Sequence, residues 1–297
     1  MTNDERVGVE GPSGGSAARW PVFALIVLSL AGCASDAKPT AALPPIDPAT
    51  PRVSVMTYNV NFALANDAQT ICTVGQPDAD VIFLQETNDA WAAALTSSLG
   101  QSYPHAAFRG HPAAGGLGVL SKLPIESIDY LPAKDWFPAA RVVLATPVGR
   151  LQVLNVHLRP PISTSGSAVS GYFTTPPVRE SEIAAFAAAL DPTLPTLVCG
   201  DFNENERGRA VTWLRAHGYR SALPQFHPYA QTWRWPTMFG TLRGRYDHLC
   251  YDARLRPLRA DVRNVGRSDH LPVVGVFALA GNAAAPGRLP TTQESGK

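Results

Sequence analysis

Four apolar runs in this chain end in, and a fifth is preceded by, side chains of the kinds that bind cations and move protons. Asn59 closes Val-Ser-Val-Met-Thr-Tyr-Asn, Glu86 closes Val-Ile-Phe-Leu-Gln-Glu and His157 closes Leu-Gln-Val-Leu-Asn-Val-His. Asp201 and Asn203 close Thr-Leu-Val-Cys-Gly-Asp-Phe-Asn, and Ser268-Asp269-His270 precedes a last apolar run. Taken singly, each has an ordinary explanation. Glu86 suits the first turn of a following helix, His157 a satisfied core histidine, and Asp201-Phe202-Asn203 an Asx-type turn. Together they supply oxygen ligands for a hard divalent cation, a carboxylate to activate water and imidazoles to face developing negative charge.

Such groups need strands to hold them at one rim. Short β-branched runs alternate with Ala/Leu-rich stretches, and the pattern predicts strands at 53–60, 81–85, 117–120, 125–131, 141–146, 151–157, 196–199, 246–250 and 273–278. Helices are expected at 66–74, 88–99, 179–190 and 207–217. So many strands with so few helices exceed one doubly wound sheet. The expected class is α+β: a four-layer α/β/β/α sandwich of two packed mixed sheets flanked by helices. With 297 residues, 45% of them hydrophobic, the chain can bury a full core, and disorder of the whole chain is excluded.

The ordered blocks resemble the endonuclease/exonuclease/phosphatase superfamily, which includes exonuclease III-like and deoxyribonuclease I-like nucleases, sphingomyelinases and inositol polyphosphate 5-phosphatases. They are Tyr-Asn-Val at 58–60, Leu-Gln-Glu at 84–86, Gly-Leu-Gly-Val-Leu-Ser at 116–121 and Asn-Val-His-Leu at 155–158, followed by Gly-Asp-Phe-Asn at 200–203, Arg-Tyr-Asp-His-Leu at 245–249 and Ser-Asp-His-Leu-Pro at 268–272. The resemblance implies a metal-dependent phosphoric ester hydrolase using Mg²⁺, with Mn²⁺ as a substitute. It implies Glu86 as the main metal ligand with Asn59 and Asp269 beside it. By the same resemblance Asp201 activates water with help from Asn203, His270 contacts the scissile phosphate with Asp247 behind it, and His157 binds from the other side. Arg141 and Tyr172 are candidate substrate contacts. His248 stands where relatives more often carry an aromatic or apolar residue.

The remaining segments bear on location and substrate. Arg19 precedes an apolar run, 21–32, too short to span a bilayer, which suits a secretory signal. Leu30-Ala31-Gly32-Cys33 resembles a bacterial lipobox, which implies a lipid anchor on Cys33 and an exported lipoprotein of the cell envelope. The expected organisation is a signal at 1–33, a Pro/Ala-rich tether at 34–52, the domain at 53–280 and a disordered tail at 281–297. Cys199 and Cys250 lie in apolar runs and are expected as buried thiols. Charge is uneven: 53–205 carries 7 basic and 13 acidic residues, whereas 206–281 carries 12 arginines and 5 acidic residues. A loop at 159–178 without predicted structure is expected to be a substrate-facing flap. The expected partner is a phosphate ester: nucleic acid, nucleotide, inositol phosphate or phospholipid. A nuclease-like phosphodiesterase ranks first, and phosphomonoesterase, sphingomyelinase-like activity and a catalytically silent binding module remain alternatives. Apart from the membrane reached through the anchor, no protein partner is expected.

Overall fold

The computed structural model describes residues 45–281 with the exception of Thr164. The leader with Cys33, residues 34–44 of the tether and residues 282–297 lie outside the described residues.

Numbered in chain order, the first sheet contains β1 (Val53–Asn59), β2 (Val81–Gln85), β3 (His105–Arg109), β4 (Leu117–Ser121), β13 (Leu255–Val262) and β14 (Val273–Leu279), in the order β13-β14-β1-β2-β4-β3. The second contains β5 (Ile125–Leu131), β6 (Ala139–Thr146), β7 (Gly149–His157), β8 (Thr196–Asp201), β9 (Arg220–Ser221) and β12 (Asp247–Tyr251), in the order β5-β6-β7-β8-β12-β9. Each sheet has one parallel pair, β1 with β2 and β7 with β8, among antiparallel neighbours. Strands β10 (Trp233–Thr237) and β11 (Gly240–Gly244) form a separate hairpin.

The layers follow from side-chain alternation. Val53, Val55, Val81 and Phe83 of the first sheet meet Val142, Val153, Leu197 and Leu249 of the second in one buried core between the sheets. On the outer face of the first sheet, Met56, Tyr58, Ile82 and Leu84 pack on helices α1 (Ala68–Gly75) and α2 (Asp89–Leu99) through Val74, Trp91 and Leu95. The outer face of the second sheet presents Leu154, Val156 and Val198 to α4 (Pro176–Ala187) and α5 (Arg209–Ala216) through Ile183, Phe186, Val211 and Leu214. The arrangement is the expected four-layer sandwich. A polar bridge crosses its interior: Gln85 Nε2 donates to Asn155 Oδ1 at 2.7 Å, and Asn155 Nδ2 donates to the Leu84 carbonyl at 3.1 Å.

The expected structureless flap is corrected. Helix α3 (Ala168–Thr174) occupies its middle, with Ser167 Oγ accepting from Ser170 N at its start, and α4 begins already at Pro176. Pro176 and Pro177 fit the first turn of α4, where no intrahelical N–H is needed. Gly171 lets α3 lie close to the preceding chain, since a Cβ there would sit 2.5 Å from Ile162 Cα. The sequence pattern also leaves out β3, the β10–β11 hairpin, β13 and the short α6 (Leu223–Phe226). Cys199 and Cys250 are buried and Cys72 is exposed.

Helix α4 carries a buried ionisable group. Glu182 is fully buried; its Oε2 accepts from Arg159 N at 2.9 Å while Oε1 has no partner. Burial pushes its carboxyl up to about 7, against the Arg159 N–H and with the help of the nearby Asp135 charge. The folded chain therefore holds a proton here at pH values where the unfolded chain, near 4.5, has lost it. Stability falls as pH rises through that window. Glu182→Gln is expected to remove this loss and to gain about 1–3 kcal/mol over the wild type at pH 8 relative to pH 5. Urea unfolding at both pH values checks it, and equal differences would contradict it.

Candidate active site

The two parallel pairs and β12 end at one rim. Asn59 lies opposite Gln85, so Glu86 follows directly beside it; His157 lies opposite Asp201; and Asp247, starting β12, also lies opposite Asp201. Gly200 makes the β7–β8 approach possible. Its φ is +136°, and a Cβ there would fall 1.9 Å from the Val156 carbonyl oxygen. The chain turns sharply after these strands through non-glycine residues of positive φ: Asn61 at 61°, Glu86 at 62° and Asn203 at 52°. Such backbone is uncommon outside glycine and clusters at functional sites.

The Asp201 carboxylate stands at the centre, almost completely buried. Its Oδ1 accepts from Asn203 N at 2.8 Å. Its Oδ2 accepts from Asn59 Nδ2 at 3.1 Å and lies 3.4 Å from His270 Nε2 and 3.5 Å from His157 Nε2. Behind His270, Nδ1 bonds to both Asp247 oxygens at 2.9 and 3.0 Å. Burial opposes a charge on His270, but the carboxylates of Asp247 and Asp201 outweigh it and push its pKa up to about 10. Its ring is therefore an imidazolium at neutral pH, with Asp247 as its counter-ion. On the other side, His157 Nδ1 donates to the Ala114 carbonyl at 3.0 Å and the ring stacks on Phe137 at 4.4 Å, which aims Nε2 at the centre.

A second acidic pair lines the same rim. Glu86 Oε1 accepts from Asn59 Nδ2 at 2.9 Å and Oε2 from Phe62 N at 3.3 Å. Asp269 Oδ1 accepts from Asn61 Nδ2 at 3.2 Å and Oδ2 from Trp233 Nε1 at 3.0 Å. Ser268 ties the two segments together, donating to the Asn59 carbonyl at 2.8 Å and accepting from His270 N at 3.2 Å.

Four carboxylates against two imidazoles make a donor set that a divalent cation fits. Glu86 and Asp269 could hold it, because neutral donors fix each carboxylate and leave further lone pairs free. Ligand atoms of Asp201, Asp247 and His270 also lie within 4.8 Å of one another. The trio is also joined as a hydrogen-bonded relay, His270 Nδ1 bonding to both Asp247 oxygens. Asn59 turns its N–H groups to the carboxylates while its oxygen accepts from Asn61 N at 3.1 Å. It therefore positions both acids.

The family model for the Endonuclease/Exonuclease/phosphatase family matches residues 56–270. The chain belongs to this family. It is accordingly a metal-dependent phosphoric ester hydrolase. Solved structures share its fold at low identity. An endonuclease/exonuclease/phosphatase from Beutenbergia cavernae DSM 12333 is 20% identical with a TM-score of 0.63, over 79% of this chain and 73% of that one. D. rerio TDP2, complexed with a single-strand DNA product, is 16% identical with a TM-score of 0.58, over 76% and 98%. The human Nocturnin catalytic domain with bound sulfate is 16% identical with a TM-score of 0.58, over 77% and 94%. No curated protein matches the chain by sequence.

Of the residues expected at the site of this family member, Asn59, Glu86, His157, Asp201, Asn203, Asp247, Asp269 and His270 are brought together. Arg141 is not, which corrects its expected substrate contact. Its Nε donates to Gln152 and its Nη1 to Asp129 at 2.8 Å, and Gln152 in turn bonds to Thr196 at the opposite end of β8 from the rim. Tyr172 stands exposed on α3, edge-on to Phe173, and none of the described hydrogen bonds joins it to the cluster. His248 is buried behind the rim, with Nδ1 3.2 Å from Glu206 and Nε2 2.9 Å from the Glu204 carbonyl. Sequence reasoning misses Asn61 and Phe137. Only Asn61 leaves a trace, as an Asn directly after an apolar run.

Asn59→Ala removes the one donor shared by Glu86 and Asp201. The Mg²⁺ concentration for half-maximal hydrolysis is expected to rise about 10–100-fold, as for other groups that orient metal ligands. A metal titration of initial rates measures this, and an unchanged midpoint would deny Asn59 the positioning role.

Proposed function

We propose that this chain is an exported, Mg²⁺-dependent, nuclease-like phosphodiesterase. The carrying observation is the convergence of Asn59, His157 and His270 on the single oxygen Oδ2 of Asp201. A buried carboxylate so placed takes the proton of an attacking water, while the His270 imidazolium beside it donates to a phosphoryl oxygen and His157, once it carries a second proton on Nε2, does so from the other side. Asn203 N and Asn59 keep the carboxylate aimed. Asp247 keeps the His270 ring oriented and charged. Mg²⁺, when bound at Glu86 and Asp269, supplies Lewis-acid stabilisation of the charge gathering on the phosphoryl group. Mn²⁺ is expected to substitute.

A phosphodiester of a polyanion is supported by the arginine-rich C-terminal half. The lipobox-like Leu30-Ala31-Gly32-Cys33 supports action at the cell envelope, with the domain at 53–280 carried on a tether. A sphingomyelinase-like phospholipid phosphodiesterase is the second reading. It is favoured by Tyr172 and Phe173, two adjacent exposed aromatic side chains on the segment that follows His157.

The test is hydrolysis by the purified chain of plasmid DNA, RNA, nucleotides, inositol phosphates and sphingomyelin with and without chelator. Nucleic-acid cleavage that chelation abolishes and Mg²⁺ or Mn²⁺ restores is the expected outcome. Asp201→Asn and His270→Gln should each lower kcat by about 10²–10⁴-fold with the circular dichroism unchanged. Cleavage of sphingomyelin but not DNA would move the assignment to the second reading, and full turnover in both variants would refute the site.

A further inference from the structure

The β10–β11 hairpin belongs to neither main sheet, and its cross-strand register divides it into two faces. Trp235 pairs with Leu242 on one face, and Arg234 pairs with Arg243 on the other. The turn between them carries Met238 and Phe239. These apolar side chains are open to solvent: Trp235 51%, Met238 80%, Phe239 86% and Leu242 43% exposed. Four large apolar groups at one protruding tip are more than scattered surface hydrophobics. The charged residues of the hairpin itself are of one sign: Arg234 and Arg243, with no acidic residue in either strand or the turn.

We propose that this hairpin is a docking device for an anionic lipid bilayer, with Met238, Phe239 and Leu242 entering the interface, Trp235 at its level and Arg243 facing the headgroups. The pairing of an apolar tip with a basic flank is the combination that such a surface rewards, through buried apolar area and attraction to anionic lipid together. Single-stranded nucleic acid suits it less well. Bases stack on successive aromatic faces, whereas here one face of Trp235 is turned to Trp233, 6.4 Å away with 12° between the planes, Phe239 alone offers a free ring, and Met238 and Leu242 offer none. The root of the hairpin is fixed to the catalytic rim. Arg234 N donates to the Asp269 carbonyl at 2.8 Å, and Trp233 forms an isolated bridge with His270. A docked hairpin therefore sets the active site beside the membrane surface, whichever phosphate ester is cut there.

The test uses the full-length chain carrying Cys33→Ser, so that no lipid on residue 33 contributes. Flotation is measured with phosphatidylcholine vesicles alone and with roughly one-third phosphatidylglycerol. Quenching of tryptophan fluorescence by brominated acyl chains is followed in parallel. The expected result is stronger partition to anionic vesicles, at least about tenfold weaker in the combined Met238→Ser, Phe239→Ser, Leu242→Ser variant, with hydrolysis of a soluble diester unchanged. Part of the quenching should vanish in Trp235→Phe. If the apolar run at 21–32 carries both proteins to vesicles equally, the Trp235-dependent quenching decides, and its absence overturns the proposal. Loss of single-stranded DNA binding in the triple variant, with vesicle partition unaltered, overturns it as well.

Discussion

A carboxylate as deeply buried as that of Asp201 survives in a folded chain only if donors surround it, because an unpaired buried charge costs several kcal/mol. Here the donors come from far apart in the sequence. Asn59 ends a strand of the first sheet, His157 ends a strand of the second, and His270 sits in the segment before β14. His157 reaches Asp201 from the neighbouring strand of the same sheet, but Asn59 and His270 do so only when the two sheets are packed face to face. The Gln85–Asn155 bridge beneath the rim holds that alignment across the interior, and Gly200 admits the close approach of β7 and β8. The requirement that one anion be satisfied and the requirement that one phosphate be attacked are thus met by the same geometry.

The electrostatics extend outward from that centre in two directions. Asp247 behind His270 raises the ring's proton affinity, so a positive charge is held against the phosphate position at neutral pH. Toward Asn61 the balance is negative: Glu86 and Asp269 are fixed by amide and indole donors that leave their anionic charge uncompensated. A positive imidazolium on one side and a cation-hungry pair on the other is the polarity that in-line phosphoryl transfer uses. Trp233 couples this polarity to the protruding hairpin, since the same indole bonds to Asp269 and opens β10.

Much of this was legible in the residues. Strands buried on both faces read as continuous apolar runs, and their polar ends mark the rim, as in Thr-Leu-Val-Cys-Gly-Asp-Phe-Asn. What escaped did so for physical reasons. Strand β13 lies at the edge of its sheet, carries Pro257 beside a bulge and has its apolar residues interrupted by Arg256, Arg259 and Asp261, so it shows no core pattern. The β10–β11 hairpin packs into neither sheet and needs no alternation. Helix α3 contains Gly171, a poor helix former kept for close packing. Arg141 was misassigned because position on a strand does not say where a long guanidinium side chain ends; here it runs to Asp129 and Gln152. Phe137 acts through a ring whose orientation only the packed chain defines.

The most direct test of a shared centre is an X-ray structure of the protein soaked with Mn²⁺ and inorganic phosphate. An anomalous peak at coordination distance from Glu86 and Asp269, with phosphate density against His157 and His270, is the result required by this arrangement. Metal or phosphate bound elsewhere, with the Asp201 cluster left empty at saturating concentrations, would contradict it.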